Sequence, residues 1–303
     1  MPPMSLEEHI ITEGRRLGFA AVGFAEAKEA ETLGIYNRWL DSGGAAQMSY
    51  LARHAELRAH VNRLAPGTRS IIVVAARYPV NPEPAQGGIA SYARGRDYHK
   101  VMRKKLKQLV AFLRAHTEIQ VARICVDSAP VLEREWAIRA GIGWRGRQGQ
   151  LVHEAFGCCF VLGEILVDLE LHPSRPRSNR CCSCRRCIDA CPTGAIDANG
   201  LVESRRCRSY LTIEHDGDIP TQDQSLLGQA LFGCDLCTAS CPWNRFGEAL
   251  VMPELTGDAP FTPEDFLTMT EEVFQERFQG TPLYRTGLAR LQRNAAIALK
   301  NRG

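Results

Sequence analysis

The 303-residue chain has no long hydrophobic run. Although 45% of its residues are apolar, no apolar stretch approaches the ~18–20 residues that cross a bilayer, which excludes a helical membrane protein. Its first residues, MPPMSLEEHIITEGRRLGFAAVGF, lack the basic segment and apolar core of a secretory signal, and no twin-arginine leader is present. The expected setting is cytoplasmic, with no membrane partner. No G-x-G-x-x-G follows a strand, so the Rossmann dinucleotide signature is missing, and no Lys sits in a convincing pyridoxal context. A cobalamin site with a histidine beneath the metal would show D-x-H-x-x-G. Asp97-Tyr98-His99 starts that pattern, but Met102 stands where the Gly belongs.

Positive charge is plentiful in one part of the chain. The net charge of +3 hides 30 Lys and Arg against 21 Asp and Glu in residues 1–208, and 7 against 13 in residues 209–303. A basic front invites a polyanion such as nucleic acid; scattered surface pairs that serve solubility are the competing explanation.

Residues 5–18 predict a helix with Ser5 as N-cap and Glu8 as its capping-box partner. SIIVVAARYP (Ser70–Pro79) predicts a buried strand, VARICVD (Val121–Asp127) a second and FVLGEILV (Phe160–Val167) a third. Residues 81–88 predict a loop. Asp97 to His116 predicts an amphipathic helix with Met102, Leu106, Leu109 and Leu113 on one face and Lys100, Arg103, Lys104 and Lys107 on another. Pro130 is expected to open a helix that ends at Gly141. The proline- and arginine-rich segment His172–Arg180 predicts a linker. A capped helix is expected near Thr262, and an amphipathic one over Leu288–Leu299.

Twelve cysteines in a reducing compartment point to metal ligands or catalytic groups rather than disulfides. C-x2-C-x2-C-x3-C-P occurs at Cys181, Cys184, Cys187, Cys191 and Pro192, and C-x2-C-x3-C-P recurs at Cys234, Cys237, Cys241 and Pro242. Three thiolates at i, i+3 and i+6 wrap one corner of a cubane, and in two-cluster ferredoxins the cysteine before Pro ligates the other cluster. Cluster one would then take Cys181, Cys184, Cys187 and Cys241. Cluster two would take Cys191, Cys207, Cys234 and Cys237, with Cys207 supplying the ligand its shorter motif lacks. Paired C-x2-C motifs also build zinc ribbons, but tetrahedral zinc needs neither a third cysteine at that spacing nor a trailing Cys-Pro. Of the remainder, Cys125, Cys158 and Cys159 read as small buried hydrophobes, and Cys182 as a small residue inside the cluster loop. Two [4Fe-4S] clusters move electrons, so an acceptor is expected within residues 1–170.

SYARGRDYHK (Ser91–Lys100), VDSAPVLEREWAIRAGIGWRGRQ (Val126–Gln148), CIDACPTGAI (Cys187–Ile196), RRCRSYLTIEHDGDIP (Arg205–Pro220) and FGCDLCTASCPWNR (Phe232–Arg245) together resemble the epoxyqueuosine reductase family, and the resemblance runs from about residue 5 to 300. It implies an α+β chain. A cobalamin-binding α/β core similar to that of reductive dehalogenases would occupy residues 1–170, a bacterial two-cluster ferredoxin module residues 171–247, and a C-terminal helical segment packing on the core residues 248–303. It implies reduction of epoxyqueuosine to queuosine at the wobble position of tRNA, the last step of queuosine synthesis, with base-off cobalamin. The chain departs from the family's usual GWxGKN at Gly143-Trp144-Arg145-Gly146-Arg147-Gln148, and carries Cys182 where a small residue is usual.

The residues the resemblance singles out can be named. Opening an epoxide leaves an alkoxide-like oxygen that calls for a general acid, and Asp127 matches the family's proton donor; a carboxyl group could act as an acid near neutral pH only if burial raised its pKa, because a free Asp titrates at about 4. Helix capping is the plainer role for the same residue. Arg58, Tyr98, His153, Cys234 and Asp235, with Asp127, are candidate cobalamin contacts. Arg134, Lys100, Arg103, Lys104 and Lys107 are candidate RNA contacts. The implied partners are tRNAs with a queuosine-type wobble base (Tyr, His, Asn and Asp acceptors) and an external low-potential electron donor, with the chain acting as a monomer. Two other classes compete: a reductive dehalogenase-like enzyme on a small molecule, which would carry a Tyr in place of Asp127, and a non-catalytic iron–sulfur carrier, which would leave residues 1–170 without a role.

Overall fold

The computed structural model describes residues 4–80, 88–247, 250–258 and 260–302, so most of the loop expected at 81–88 lies outside the described residues. At the centre is a four-stranded sheet in the order Ala21–Glu26, Ser70–Arg77, Phe160–Val167, Ala122–Cys125, antiparallel throughout. Ser70–Arg77 is buried along its whole length. Its continuous run of Ile, Val and Ala follows from having helices on both faces of the sheet.

One face is covered by Leu6–Arg16 and Tyr98–His116. Ile10, Met102, Leu106, Leu109 and Leu113 pack there on Ile72, Val74 and Ile165. The first of these helices carries the expected capping box between Ser5 and Glu8, and Asp97 caps the second. The other face is covered by Glu133–Arg139, whose Trp136 and Ala137 meet Ile71, Val73 and Leu166. Gly23 permits this approach, because a Cβ there would lie 1.9 Å from the carbonyl oxygen of Ala140. Burying each large side chain of this kind stabilises the layer by ~1.5–3 kcal/mol.

The chain then leaves the sheet for the cysteine segment, which carries only short helices such as Arg186–Asp189 and Leu236–Ala239. A third core gathers Phe232, Phe266, Phe274, Phe278, Leu283 and Leu291. It joins the C-terminal helices to the short strand Ala230–Phe232. The last helix, Leu288–Lys300, is pinned there by the buried Asn294, which donates to the carbonyls of Thr212 at 2.9 Å and Leu231 at 2.8 Å. The same segment reaches the sheet domain where the Asp97 N–H donates to the Gly280 carbonyl at 2.7 Å. No helix among the described residues is long and apolar enough to cross a membrane.

Candidate active site and cluster module

The strand Ala122–Cys125 ends in a fully buried Val126, and the chain then turns at Asp127 with φ +56°. This left-handed conformation is costly for a residue with a Cβ and persists only where the surroundings impose it. The Asp127 N–H donates to Glu133 Oε1 at 2.6 Å, and Arg103 Nη2 donates to Ser128 Oγ at 2.9 Å. Because residues 127–132 are taken up by this turn, the helix expected from Pro130 begins only at Glu133.

Asp127 does not stand alone. His99 places Nε2 2.9 Å from Asp127 Oδ2 and Nδ1 2.7 Å from Asp97 Oδ1, while Arg285 Nη1 lies 2.7 and 2.8 Å from the two ring nitrogens. The Tyr98 ring stacks on the imidazole at 3.9 Å. Burial pushes the imidazole pKa down, but the bonds to Asp127 and Asp97 outweigh it and raise it above the usual histidine value. For Asp127, burial pushes up, but the His99 bond and charge, with Arg285 and Tyr98, hold it below the usual carboxylate range. The condition that burial raise Asp127 is therefore not met: the proton of this pair rests on His99. In the sequence Asp97-Tyr98-His99 reads as a broken cobalamin motif, yet these three residues build the surroundings of Asp127.

The side chain of Asp127 is 52% exposed, and Arg134 is exposed as well. Burial nonetheless leads the influences on both, lowering the Arg134 guanidinium. Groups crowded by protein yet wetted by solvent line a concave cleft. Tyr50 and Glu214 belong to the same cleft: they bond each other, and the charge of Asp127 raises the pKa of each after burial. Beside it, Asp97, His99, Lys100, Arg103, Tyr284 and Arg285 line a cavity of about 320 Å³. Arg285 had no signal in the sequence, and Tyr50 and Glu214 were not singled out; only the fold brings the three to Asp127.

The other sequence candidates divide. Tyr98 reaches Asp127, and its ring meets Tyr92 edge-on at 6.1 Å. Asp235, beside Cys234, accepts from the Ser91 N–H at 2.7 Å, which ties the second cysteine loop to the turn carrying Tyr92. Lys100, Arg103, Lys104 and Lys107 are all exposed on the helix face beside the cleft. Arg58 is buried and donates to the carbonyls of Arg53 and His54, with its guanidinium over Tyr36. His153 stacks on Phe156 at 3.8 Å and accepts from the Ala155 N–H; burial, then Arg177, lowers its pKa to about 4. Among the described residues, nothing joins Arg58 or His153 directly to Asp127 or to the cysteines.

All twelve cysteines are free. Cys187 lies in the field of Cys181 and Cys241, and Cys237 in that of Cys234, Cys207, Cys191 and Cys187. Among the described residues no three donors converge at single-ion spacing. Trp144 Nε1 donates to Cys181 Sγ at 3.4 Å, its ring meets Trp243 edge-on at 5.1 Å, and Arg147 Nη2 donates to the Cys182 carbonyl at 2.8 Å. The Gly143–Gln148 segment therefore braces the first loop. Cys125, Cys158 and Cys159 are buried, as expected, while Cys182 is exposed at φ +46°. Cys158 also bonds Cys241, whose thiol it lowers to about 7. Gly157 allows that approach, since a Cβ would meet the Asn244 backbone at 2.7 Å.

Residues 58–128 match the family model described as "Epoxyqueuosine reductase QueG, DUF1730", and residues 180–244 match a 4Fe-4S double cluster binding domain. The epoxyqueuosine reductase of Pseudomonas aeruginosa is 39% identical over 99% of this chain and 86% of its own length. A crystal structure of an epoxyqueuosine reductase with an epoxyqueuosine-modified tRNA-Tyr stem loop superposes with a TM-score of 0.89 at 29% identity, covering 98% of this chain and 81% of that one. The Bacillus subtilis enzyme, described with its catalytic aspartate loop swung out of the active site, superposes with a TM-score of 0.87 at 28% identity, covering 98% and 81%.

Proposed function

Since the chain belongs to the epoxyqueuosine reductase family, we propose that it reduces epoxyqueuosine to queuosine at the wobble position of tRNA, using base-off cobalamin, two [4Fe-4S] clusters and Asp127 as proton donor. In this reading residues 1–170 form the cleft, residues 171–247 hold the clusters, and residues 248–303 contribute Arg285 from the C-terminal segment. The observation that carries it is the joining of Asp127 to His99 in a cleft tied, through Ser91 and Asp235, to the second cysteine loop.

The residues present fit cobalamin without a histidine ligand. Both ring nitrogens of His99 are engaged by Asp97, Asp127 and Arg285, which leaves neither for a metal. Tyr98 and the Cys234–Asp235 loop would hold the corrin. When bound, the cofactor supplies the low-potential electrons that open the epoxide.

The chain's own residues manage protons and position. An acid with a lowered pKa is weak by itself, but the alkoxide left by ring opening is far more basic than either partner. Asp127 relays one proton: it accepts from His99 Nε2 on Oδ2, turns as a neutral carboxyl group, and yields that same proton to the alkoxide, leaving Asp127 ionised and His99 neutral. Asp97 holds the imidazole in place. Lys100, Arg103, Lys104, Lys107 and Arg134 offer cations for RNA phosphates around the splayed base. The tRNA stem loop bound by the relative supports this. The substrate would be the tRNAs for Tyr, His, Asn and Asp, and an external low-potential donor would reduce the clusters.

The test is nucleoside mass spectrometry. Anaerobically reconstituted protein with cobalamin and a low-potential reductant is incubated with epoxyqueuosine-containing tRNA. Loss of one oxygen's mass to give queuosine is expected. Intact epoxyqueuosine, with both clusters and cobalamin bound, would overturn the assignment.

A further inference from the structure

One carboxyl group has no part in the scheme above. Glu164 lies mid-strand in Phe160–Val167 with no exposed surface, and among the described residues neither oxygen meets an N–H or O–H donor. The register sets it between Val73 and Cys125, on the sheet face covered by Glu133–Arg139. There its carboxyl group meets that of Glu133, whose Oε1 accepts the Asp127 N–H. A lone carboxylate this deep neutralises rather than stay charged. Two facing carboxyl groups cannot both ionise, so the pair titrates as a unit.

We propose that Glu133 and Glu164 share one proton and that the pair positions Asp127, with Glu164 donating to Glu133 and Glu133 holding the Asp127 N–H in its left-handed turn. The groups facing the pair agree with this. Burial and then the Asp127 charge push Glu133 up to about 7, with Arg134 pulling it down, while burial and Glu133 push Glu164 well above the usual range. Cys125, the cross-strand neighbour, is pushed up to about 12 by burial and by Glu164, so it adds no charge. Loss of the shared proton at alkaline pH leaves Glu133, Glu164 and Asp127 all negative around one turn. The turn is then released and turnover falls. Only this last consequence rests on the reading of Asp127 as proton donor; the shared proton does not.

The experiment is infrared difference spectroscopy of the reconstituted enzyme across pH, beside turnover of epoxyqueuosine tRNA. Wild type should show a protonated-carboxyl carbonyl band at neutral pH that shifts in D2O, and Glu164→Gln should abolish it. Glu164→Ala should lower turnover at least tenfold at unchanged iron and cobalamin content. Glu164→Gln, whose amide still donates to Glu133, should restore most of that and move the alkaline limb of the pH profile upward. Absence of the band, or superimposable pH profiles for wild type and Glu164→Gln, would overturn the proposal. An active Asp127→Asn variant that retains the band would instead overturn the proton-donor role and leave the shared proton standing.

Discussion

The charge state of His99 is the most exposed quantitative consequence of the site. Two carboxylates raise its pKa, at 2.7 Å from Asp97 and 2.9 Å from Asp127, while burial and Arg285 lower it. The Asp127 side chain is half exposed, so its bond is discounted for solvent to ~0.5–1 kcal/mol. Asp127→Asn should therefore lower the His99 pKa modestly. Asp97 is 5% exposed at its side chain, where a bond to a charged group is worth ~1.5–3 kcal/mol, so Asp97→Asn should lower the His99 pKa further than Asp127→Asn does. In the double variant only the two lowering influences remain, so the pKa should cross from above to below its ordinary value of about 6.5. The assay is the imidazole chemical shift against pH, assigned by a His99→Gln control. A titration unmoved by either substitution would refute the geometry of the triad. The sign for stability follows. His99, with its pKa raised, contributes stability that is fully present below about pH 6.5 and lost as pH rises through its folded value. Asp97 and Asp127, both lowered, contribute above about pH 3.9, and that is lost on acidification.

Other consequences can be checked separately. Cys207→Ser should remove one cluster, roughly half the iron and sulfide, while Cys182→Ser should leave both, as read by iron analysis. Trp136→Ala, at a side chain with no exposed surface, should destabilise by ~3–5 kcal/mol in chemical denaturation. Lys104→Ala with Lys107→Ala should weaken tRNA binding and reduce the slope of log K against log salt by ~1 for each phosphate no longer neutralised.

The sequence was most readable where a pattern is local. Phe160–Val167 is a strand over the full expected range, and Ser5 with Glu8 caps the first helix as their spacing required. The double-cluster module was readable because its cysteine spacings are local, and residues 180–244 match such a domain. The strand Ala21–Glu26 was not singled out, because its sequence, AVGFAE, is too short and mixed to stand out. What periodicity could not carry was the pairing of distant carboxyl groups. Glu164 is an oddity inside an apolar run, and its meaning appears only when register and helix bring Glu133 to it. The direction of the Asp127 pKa was not legible for the same reason, since His99 and Arg285 lie 28 and 158 residues away along the chain.

The measurement that bears most directly on the central claim is a single-turnover comparison of pre-reduced wild type and Asp127→Asn on epoxyqueuosine tRNA, with cluster and cobalt reduction followed in the same samples. The account predicts that both proteins reduce alike and bind tRNA alike, and that only wild type yields queuosine. Equal conversion by the two would contradict it.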